Sequence, residues 1–218
     1  MKFAKGFKVT KEMWEDDLYN IMTKMPSKLG DAARQTEETE AADIFDNSFT
    51  LGIGGDGSYL CVTNHAREDG GTVQSNRLSG NTAPSETTFE TTLVGMRGTL
   101  DAKGQKILVR PDTILIPKEL EKEVLVLLKS SGRTATNYNE INPYEGRLKT
   151  VVWDYLDLTQ AWYVLDSGLH QLNFVWRIRP EFGQDESFDT DVALYKVRER
   201  FTVGFSDWRG VYGSTGTQ

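Results

Sequence analysis

The stretch TKEMWEDDLYNIMTKMPSKLGDAARQTEETEAADIFDNSFT, residues 10–50, decides the fold. Its apolar side chains recur mostly at intervals of three or four residues, which places them along one face of a long helix. Thr10 is a favourable N-cap residue at its start. The acidic side chains between Glu12 and Asp17 suit the first turns, where the helix dipole stabilises negative charge.

Pro26 interrupts this helical pattern. Proline lacks a backbone N–H and clashes with the preceding turn, so it should kink the helix or split it at Met25. We expect two segments, 11–24 and 26–49. Residues 31–40 are nearly all polar. We therefore expect this part of the helix to lie across other elements or across a neighbouring copy of the chain.

The pattern between residues 51 and 145 alternates between helix and strand signals. Glycines at positions 52, 54, 55 and 57 end the first helix. The expected elements that follow are a strand at 59–63, a long polar segment at 64–84, a helix from 85 to 104, a strand at 107–116, a helix at 118–129 and a loop at 131–143.

From Arg147 onward the apolar period changes from helical spacing to two, and residues that favour strands dominate. The prediction is a set of antiparallel strands at 148–155, 161–165, 172–179 and 192–205, with turns at 166–168 and 182–191. Residues 213–218 are predicted to be a flexible tail. Helices in the first half and strands in the second indicate an α+β protein.

The bulk properties exclude several classes of protein. A formal net charge of −7 and a sequence pI near 5.0 argue against a dedicated nucleic-acid binder. Cys61 is the only cysteine, so no intrachain disulfide or thiolate zinc site can form, and a half-buried, inert thiol is expected. No run of residues approaches the ~18 consecutive apolar positions of a membrane span.

Patterns that suggest catalysis or ligand binding are weak in this sequence. Gly52, Gly54 and Gly57 satisfy G-x-G-x-x-G, but a helix precedes this loop and a strand follows it, which is the reverse of a dinucleotide-binding unit. The acidic clusters at 37–40 and 185–191 are expected to be solvated surface instead of a cation site. The sequence predicts no cofactor and no metal.

The two histidines, His65 and His170, have no metal-binding spacing and are expected on the surface or in loops. A hydrolase that pairs one of them with a serine or with Cys61 stays open as an alternative, because triads assemble in space. No G-x-S-x-G nucleophile elbow supports it.

Several strings, in this order along the chain, resemble the major head (capsid) subunit family of Mu-like phages and prophages. They are GFKVT (6–10), AARQT (32–36), FDNSFT (45–50), NPYEG (142–146), AWYVL (161–165), FVWR (174–177) and VGFSDWRGVYG (203–213). The resemblance implies the tailed-phage major capsid fold, with a long spine helix, a peripheral domain of antiparallel strands and an axial domain of mixed α/β structure. It assigns residues 1–50 to an extended-loop remnant and the spine, 51–145 to the axial domain, and 146–212 to the peripheral strands.

The same resemblance implies a non-enzymatic subunit that self-assembles into pentamers and hexamers of an icosahedral head around the phage genome. Scaffold, portal and decoration proteins, and packaged double-stranded DNA held through non-specific contacts, are expected partners; a membrane is not. The subunit is expected in the virion, after assembly in the host cytoplasm. An encapsulin-like shell around a protein cargo is the alternative with the same fold.

We expect the contacts between copies to depend on large aromatic and charged side chains. Trp176, Phe182, Phe205 and Trp208 are candidate anchors, although they would serve equally well as core of the peripheral domain. The full set of candidates adds Trp14, Arg34, Glu37, Arg77, Arg177 and Arg209.

Overall fold

The computed structural model of the chain describes residues 1–52, 54–132, 140–187 and 189–216. In chain order the elements are β1 (Lys2–Thr10), α1 (Lys11–Glu15), α2 (Ile21–Asp46), α3 (Glu86–Arg97), β2 (Thr113–Ile116), a 3-10 turn (Lys118–Leu120), α4 (Glu121–Lys129), β3 (Lys149–Val152), β4 (Trp162–Leu165), β5 (Leu172–Ser187), β6 (Val192–Phe205) and β7 (Val211–Ser214). This mixture of helices and strands confirms the predicted α+β class.

The chain forms two compact units. Unit 1 contains residues Met1–Ala41 and Phe174–Val203, and unit 2 contains residues Ala42–Asn173 and Gly204–Gln218. Strands from both sides of residue 145 pair in the same sheet of unit 2.

The sheet of unit 1 has the strand order β1-β6-β5. β1 and β6 are antiparallel, and their register runs from Lys2 opposite Arg200 to Thr10 opposite Val192. Gly6 allows the close approach of these strands, since a Cβ there would lie 2.7 Å from the carbonyl oxygen of Tyr195. β5 extends further than predicted, to Ser187, whereas β6 has the predicted limits of 192 and 205.

Helix α2 packs on one face of this sheet. Leu29 and Ala33 form a buried cluster with Val197 of β6, and Phe7 and Tyr195 pack against it. Side chains at i and i+4 lie on one helix face, whereas alternate residues of a strand face the same side of a sheet, so a single stripe of α2 meets a single face of the strands.

The predicted break at Met25 is wrong. Pro26 lies inside α2, and the helix is interrupted earlier, between Glu15 and Ile21. The carboxylate of Asp17 accepts the N–H groups of Ile21 and Met22 at 2.9 and 2.8 Å, which caps α2 before the proline is reached. Pro26 therefore falls early in the helix, where it removes only the hydrogen bond to the carbonyl four residues before it.

The sheet of unit 2 has the strand order β3-β2-β4-β7. β2 is antiparallel to β4 and β4 to β7, but β2 and β3 are parallel. The prediction that the late strands are all antiparallel is therefore wrong for β3. The reason is that α4 lies between β2 and β3 in the chain, and such a crossover returns the second strand in the same direction as the first.

Buried side chains cover the sheet of unit 2 in two clusters. Phe89, Trp162 and Val164 belong to the larger one, with further residues from α3 and α4. Tyr163 and Trp208 belong to the other. Because Trp162 and Tyr163 are neighbours in β4 and both are fully buried, the sheet is covered on both faces.

Several predicted elements of unit 2 are shorter than expected. Residues 59–63 form no strand, although Leu60 and Cys61 are fully buried there. The second predicted helix ends at Arg97, where Gly98 is its C-cap, instead of continuing to residue 104. The strand predicted at 107–116 is reduced to β2. Of the loop expected at 131–143, residues 133–139 lie outside the described part of the chain.

The predicted tail at 213–218 is wrong for Gly213 and Ser214. Both belong to β7, where Ser214 is fully buried opposite Trp162. Residues 217 and 218 lie outside the described range. The prediction rested on the position at the chain terminus, but a Cβ at position 213 would lie 2.9 Å from the Cys61 sulfur, so Gly213 fits a crowded sheet position.

None of the described helices combines the length and apolar character that spanning a bilayer requires.

Candidate assembly surfaces

Unit 1 exposes a group of large apolar side chains around α1 and the start of α2. Leu18 and Tyr19 are 87% and 76% exposed, and Trp14 is 49% exposed. Phe182 of β5, at 62%, lines the same depression as Trp14. We call the following residues the apolar edge: Met13, Trp14, Leu18, Tyr19, Ile21 and Phe182.

Local hydrogen bonding fixes the backbone that presents the apolar edge. Thr10 caps α1 by accepting the N–H of Met13, and Asp17 caps α2. Burial alone would raise the pKa of Asp17, but the donated N–H groups of Ile21 and Met22 lower it below its usual range. The apolar side chains between the two capped helix starts, Met13, Trp14, Leu18 and Tyr19, are exposed.

Arg34 and Glu37, the predicted interface residues of the spine, differ in how far they are exposed to solvent. Arg34 is exposed on α2. Glu37 is half-buried beside Glu199 of β6, which is only 2% exposed and has an Oε2 atom without a hydrogen-bond partner among the described residues. Burial, followed by the charge and hydrogen bonding of Glu37, raises the pKa of Glu199 to about 7.

Trp176 belongs to an aromatic cluster on the α2 side of the unit 1 sheet. Its ring lies 5.2 Å from Phe201 and 5.0 Å from Phe174, and Phe3 stacks on Phe201 at 5.0 Å. Phe174 is 38% exposed, so this cluster is partly open to solvent. Arg177, the next residue of β5, is exposed, and strand alternation directs it to the opposite face.

The remaining predicted residues lie in unit 2 and are mostly enclosed. Trp208 is 4% exposed in the core, and Phe205 is half-buried and packs against the same cluster. Arg209 contacts the carboxylate of Asp207 at 3.0 Å and lies over the Trp208 ring. Trp208 is therefore a core residue, which is the alternative that the sequence left open for the aromatic anchors.

Arg77 is half-buried in unit 2. Its guanidinium lies 4.8 Å from the centre of the Phe49 ring, and its backbone forms a bridge with Gly213 of β7. Arg77 belongs to the long polar segment at 64–84, and these contacts hold it against Phe49 and β7.

His65 lies in a loop, which is one of the two predicted environments, but it is fully buried there and does not face solvent. Its Nδ1 lies 2.6 Å from Asp56, its Nε2 lies 2.9 Å from Asn76 Oδ1, and its ring stacks on Trp208. The Asn76 amide nitrogen donates to two carbonyl groups, which fixes the oxygen as the atom that faces the histidine. The sequence could not reveal this network, because it joins residues brought together only by the loop.

Cys61 and His170, the other residues with reactive side chains, are also wholly or partly buried. Cys61 is fully buried, more than predicted, and burial raises the pKa of its thiol far above its usual range. His170 is half-buried in the turn after β4. The described ranges contain no group of three or more histidine, cysteine or acidic side chains positioned to hold a metal ion.

Comparison with known proteins gives a family for this arrangement. Residues 1–214 match the family described as phage capsid protein. No curated protein matches the chain.

Solved structures of phage capsids share the fold at low sequence identity. The bacteriophage JBD30 capsid, decorated with minor capsid protein trimers, superposes with a TM-score of 0.61 at 13% identity, over 72% of this chain and 74% of that chain. The capsid of the native GTA particle gives 0.58 at 13% identity, over 97% and 70%. Mycobacterium phage Che8 gives 0.55 at 12% identity, over 100% and 72%.

These likenesses confirm the predicted tailed-phage capsid fold. The match to the family covers nearly the whole chain and agrees with the order of the elements. The chain therefore belongs to the phage capsid protein family and has a structural, major capsid role.

Proposed function

We propose that this chain tiles the wall of an icosahedral phage head as pentamers and hexamers that enclose the genome. The observation that carries the proposal is the apolar edge of unit 1. Groups of exposed apolar side chains mark surfaces that bind another protein. A second copy of the chain is the partner, because the family is one of capsid proteins.

Unit 1 is proposed as the peripheral domain and unit 2 as the axial domain. Unit 1 combines the first forty-one residues, including most of α2, with the long hairpin of β5 and β6. Unit 2 contains the mixed sheet and helices α3 and α4. This revises the assignment from sequence, since β3, β4 and β7 move from the peripheral to the axial domain.

The contacts between copies are proposed to be individually weak. A contact with a millimolar dissociation constant contributes about −4 kcal/mol, but a subunit in a closed shell makes several at once. Ring contacts of this kind join unlike patches, so they close only when the rotation between copies fits. The apolar edge, with Arg34 and the half-open aromatic cluster around Trp176, supplies such patches on unit 1.

The proposal includes a Mu-like ancestry, based on the strings at 142–146, 161–165 and 203–213. It also includes assembly in the host cytoplasm before the subunit becomes part of the virion, with scaffold, portal and decoration proteins as further partners. It assigns no catalytic step. In support of that, His65 is buried with both ring nitrogens engaged, so it is not placed to act as a base on a substrate.

Electron microscopy and light scattering of the purified full chain test the proposal. We expect the natural sequence to form closed particles. The double variant Trp14→Ser with Phe182→Ser should form none, or should need a much higher protein concentration before assembly begins. Val94→Ser is the matched control, because Val94 is an exposed apolar residue (65%) on unit 2. A chain that stays monomeric at high concentration would contradict the proposal. Particles from infected cells that protect protein cargo and no DNA would favour the encapsulin-like alternative.

A further inference from the structure

The face of the unit 1 sheet that points away from α2 is strongly basic. Val197 packs under α2, so its neighbours Lys196 and Arg198 face the other side. On β5 the ring of Phe182 lies beside Gly30 of α2, which places the odd-numbered residues on the outer side. We call the following residues the basic face: Lys2, Arg177, Arg179, Lys196, Arg198 and Arg200.

Few counter-charges accompany the basic face. Arg198 contacts Glu181 at 2.6 Å, and both side chains are 53% exposed, so this pair is solvated. Within the described residues, the side chains of Arg177 and Arg179 make no ion pair or hydrogen bond. The Nε of Arg200 is buried and also lacks a partner there. The face therefore holds guanidinium groups with hydrogen-bonding capacity that the chain itself does not use.

The strand register places like charges opposite each other. Lys2 lies directly opposite Arg200 in the β1–β6 pairing. Like charges directly opposite each other in a sheet are destabilising. An anionic ligand that covers this face would remove the repulsion and accept the unused N–H groups.

The composition of the basic face identifies the class of ligand. The cores of protein interfaces are depleted of charge overall, and the arginines that are enriched there are accompanied by aromatic residues and methionine, whereas this face has charge at its centre. The aromatic rings of β5 and β6, such as Trp176 and Phe201, lie on the α2 side, so no stacking platform for unpaired bases is present on this side of the described strands. Lysine and arginine without aromatic rings suit the phosphates of a duplex.

We infer that the basic face of unit 1 binds the phosphate backbone of double-stranded DNA without sequence preference. This inference rests on the proposed function, in which the shell encloses DNA, and it adds the surface that meets the DNA. The net charge of −7 argued against a nucleic-acid binder. The charge is segregated, however, and the acidic residues near the hairpin tip, such as Asp185 and Asp191, lie beyond the basic face.

The dependence of binding on salt gives the sharpest test. The logarithm of the binding constant for duplex DNA falls with the logarithm of salt concentration with a slope of roughly −0.9 per phosphate contacted. If about four of the basic side chains reach phosphates, the slope is about −4. Arg177→Gln combined with Arg179→Gln removes two exposed, unpaired cations and should reduce the slope to about −2.

The experiment measures fluorescence anisotropy of a mixed-sequence duplex with the full chain, at salt concentrations between about 50 and 200 mM. The matched control is Lys24→Gln with Lys28→Gln, which removes the same charge from exposed positions of α2. We expect the basic-face variant to bind at least tenfold more weakly at the lower salt concentration. The control should stay within twofold of the natural chain.

Each other outcome would overturn the inference. Equal losses in both variants would mean that only net charge matters, and an unchanged basic-face variant would mean that DNA binds elsewhere or not at all. Preference for single strands, or for polyglutamate over duplex DNA, would replace duplex DNA by another partner. Particle formation is scored separately by microscopy: failure of the natural chain to assemble contradicts the proposed function, whereas assembly without the expected DNA binding contradicts only this inference.

Discussion

The two units use similar secondary structure but bury it to different extents. Unit 2 covers its sheet on both faces with large clusters around Phe89 and around Tyr163. Among its described residues, unit 1 has one buried cluster, in which Leu29 and Ala33 meet Val197, and it leaves the basic face and the apolar edge exposed. The difference indicates that unit 2 is stabilised by its own core, whereas unit 1 keeps much of its surface for partners.

The largest effects should come from the core of unit 2. Phe89 is fully buried and stands edge-on to Tyr144 at 5.3 Å, so Phe89→Ala removes a large side chain and leaves a cavity. We expect a loss of about 3–5 kcal/mol in the free energy of unfolding, against about 2–3 kcal/mol for Leu29→Ala in unit 1. Urea denaturation of the unassembled chain measures both, and a larger loss for Leu29→Ala would reverse the comparison.

A stabilising change is expected within unit 1. Because the pKa of Glu199 is raised to about 7 from the ordinary 4.5, the folded state favours the protonated carboxyl. The natural chain therefore loses stability as pH rises from about 4.5, and the loss is complete above about pH 7. Glu199→Gln should stabilise the fold by up to about 3 kcal/mol above pH 7 and have little effect below pH 4.5.

Denaturation at several pH values measures this difference. Glu90→Gln is the control, because Glu90 is exposed on α3 of unit 2. A gain that does not depend on pH would show that the buried charge of Glu199 is not its cause.

A smaller loss is expected from the buried network of unit 2. His65→Ala removes the partner of Asp56 and of Asn76 Oδ1 and the ring that stacks on Trp208. Unpaired buried polar groups cost about 1–3 kcal/mol each, but Asp56 is partly solvated, so we expect about 2 kcal/mol in total. His170→Ala is the matched control with a smaller effect, and equal effects would mean that the network contributes little.

The smallest effect tests the charge arrangement on unit 1. Lys2→Gln removes the repulsion with Arg200 and should stabilise the free chain by about 0.2–0.5 kcal/mol at low salt. Lys8→Gln is the control, because Lys8 lies opposite Leu194, which carries no charge. High salt should abolish the gain.

The sequence predicted what depends on local periodicity. The helical character of most of residues 11–46, the helix within 118–129 and the pair of late strands that became β5 and β6 follow from residue spacing. The prediction of the capsid fold rested on the resemblance of short strings of residues to a known family, and the comparisons confirmed it.

The sequence could not predict what depends on tertiary contacts. The helix breaks before Ile21 because the Asp17 carboxylate accepts the N–H groups that start α2. The sequence pattern drew attention to Pro26 and gave no sign of this cap. The burial of Trp208 and His65 depends on the loop that carries Asp56 and Asn76. The basic face became visible only when the register aligned Lys2 with Arg200, because the two positions are far apart in the chain and the overall charge is negative.

The place of β7 in the chain affects how the subunit is made. Its neighbour β4 is synthesised much earlier, and the whole hairpin of β5 and β6 lies between them. During synthesis on the ribosome, the edge of β4 that pairs with β7 therefore stays unpaired until Val211–Ser214 have emerged. Chains that stop short of β7 would keep an open sheet edge and be targets for proteases, so the order of synthesis itself would select against defective subunits before they reach a growing particle.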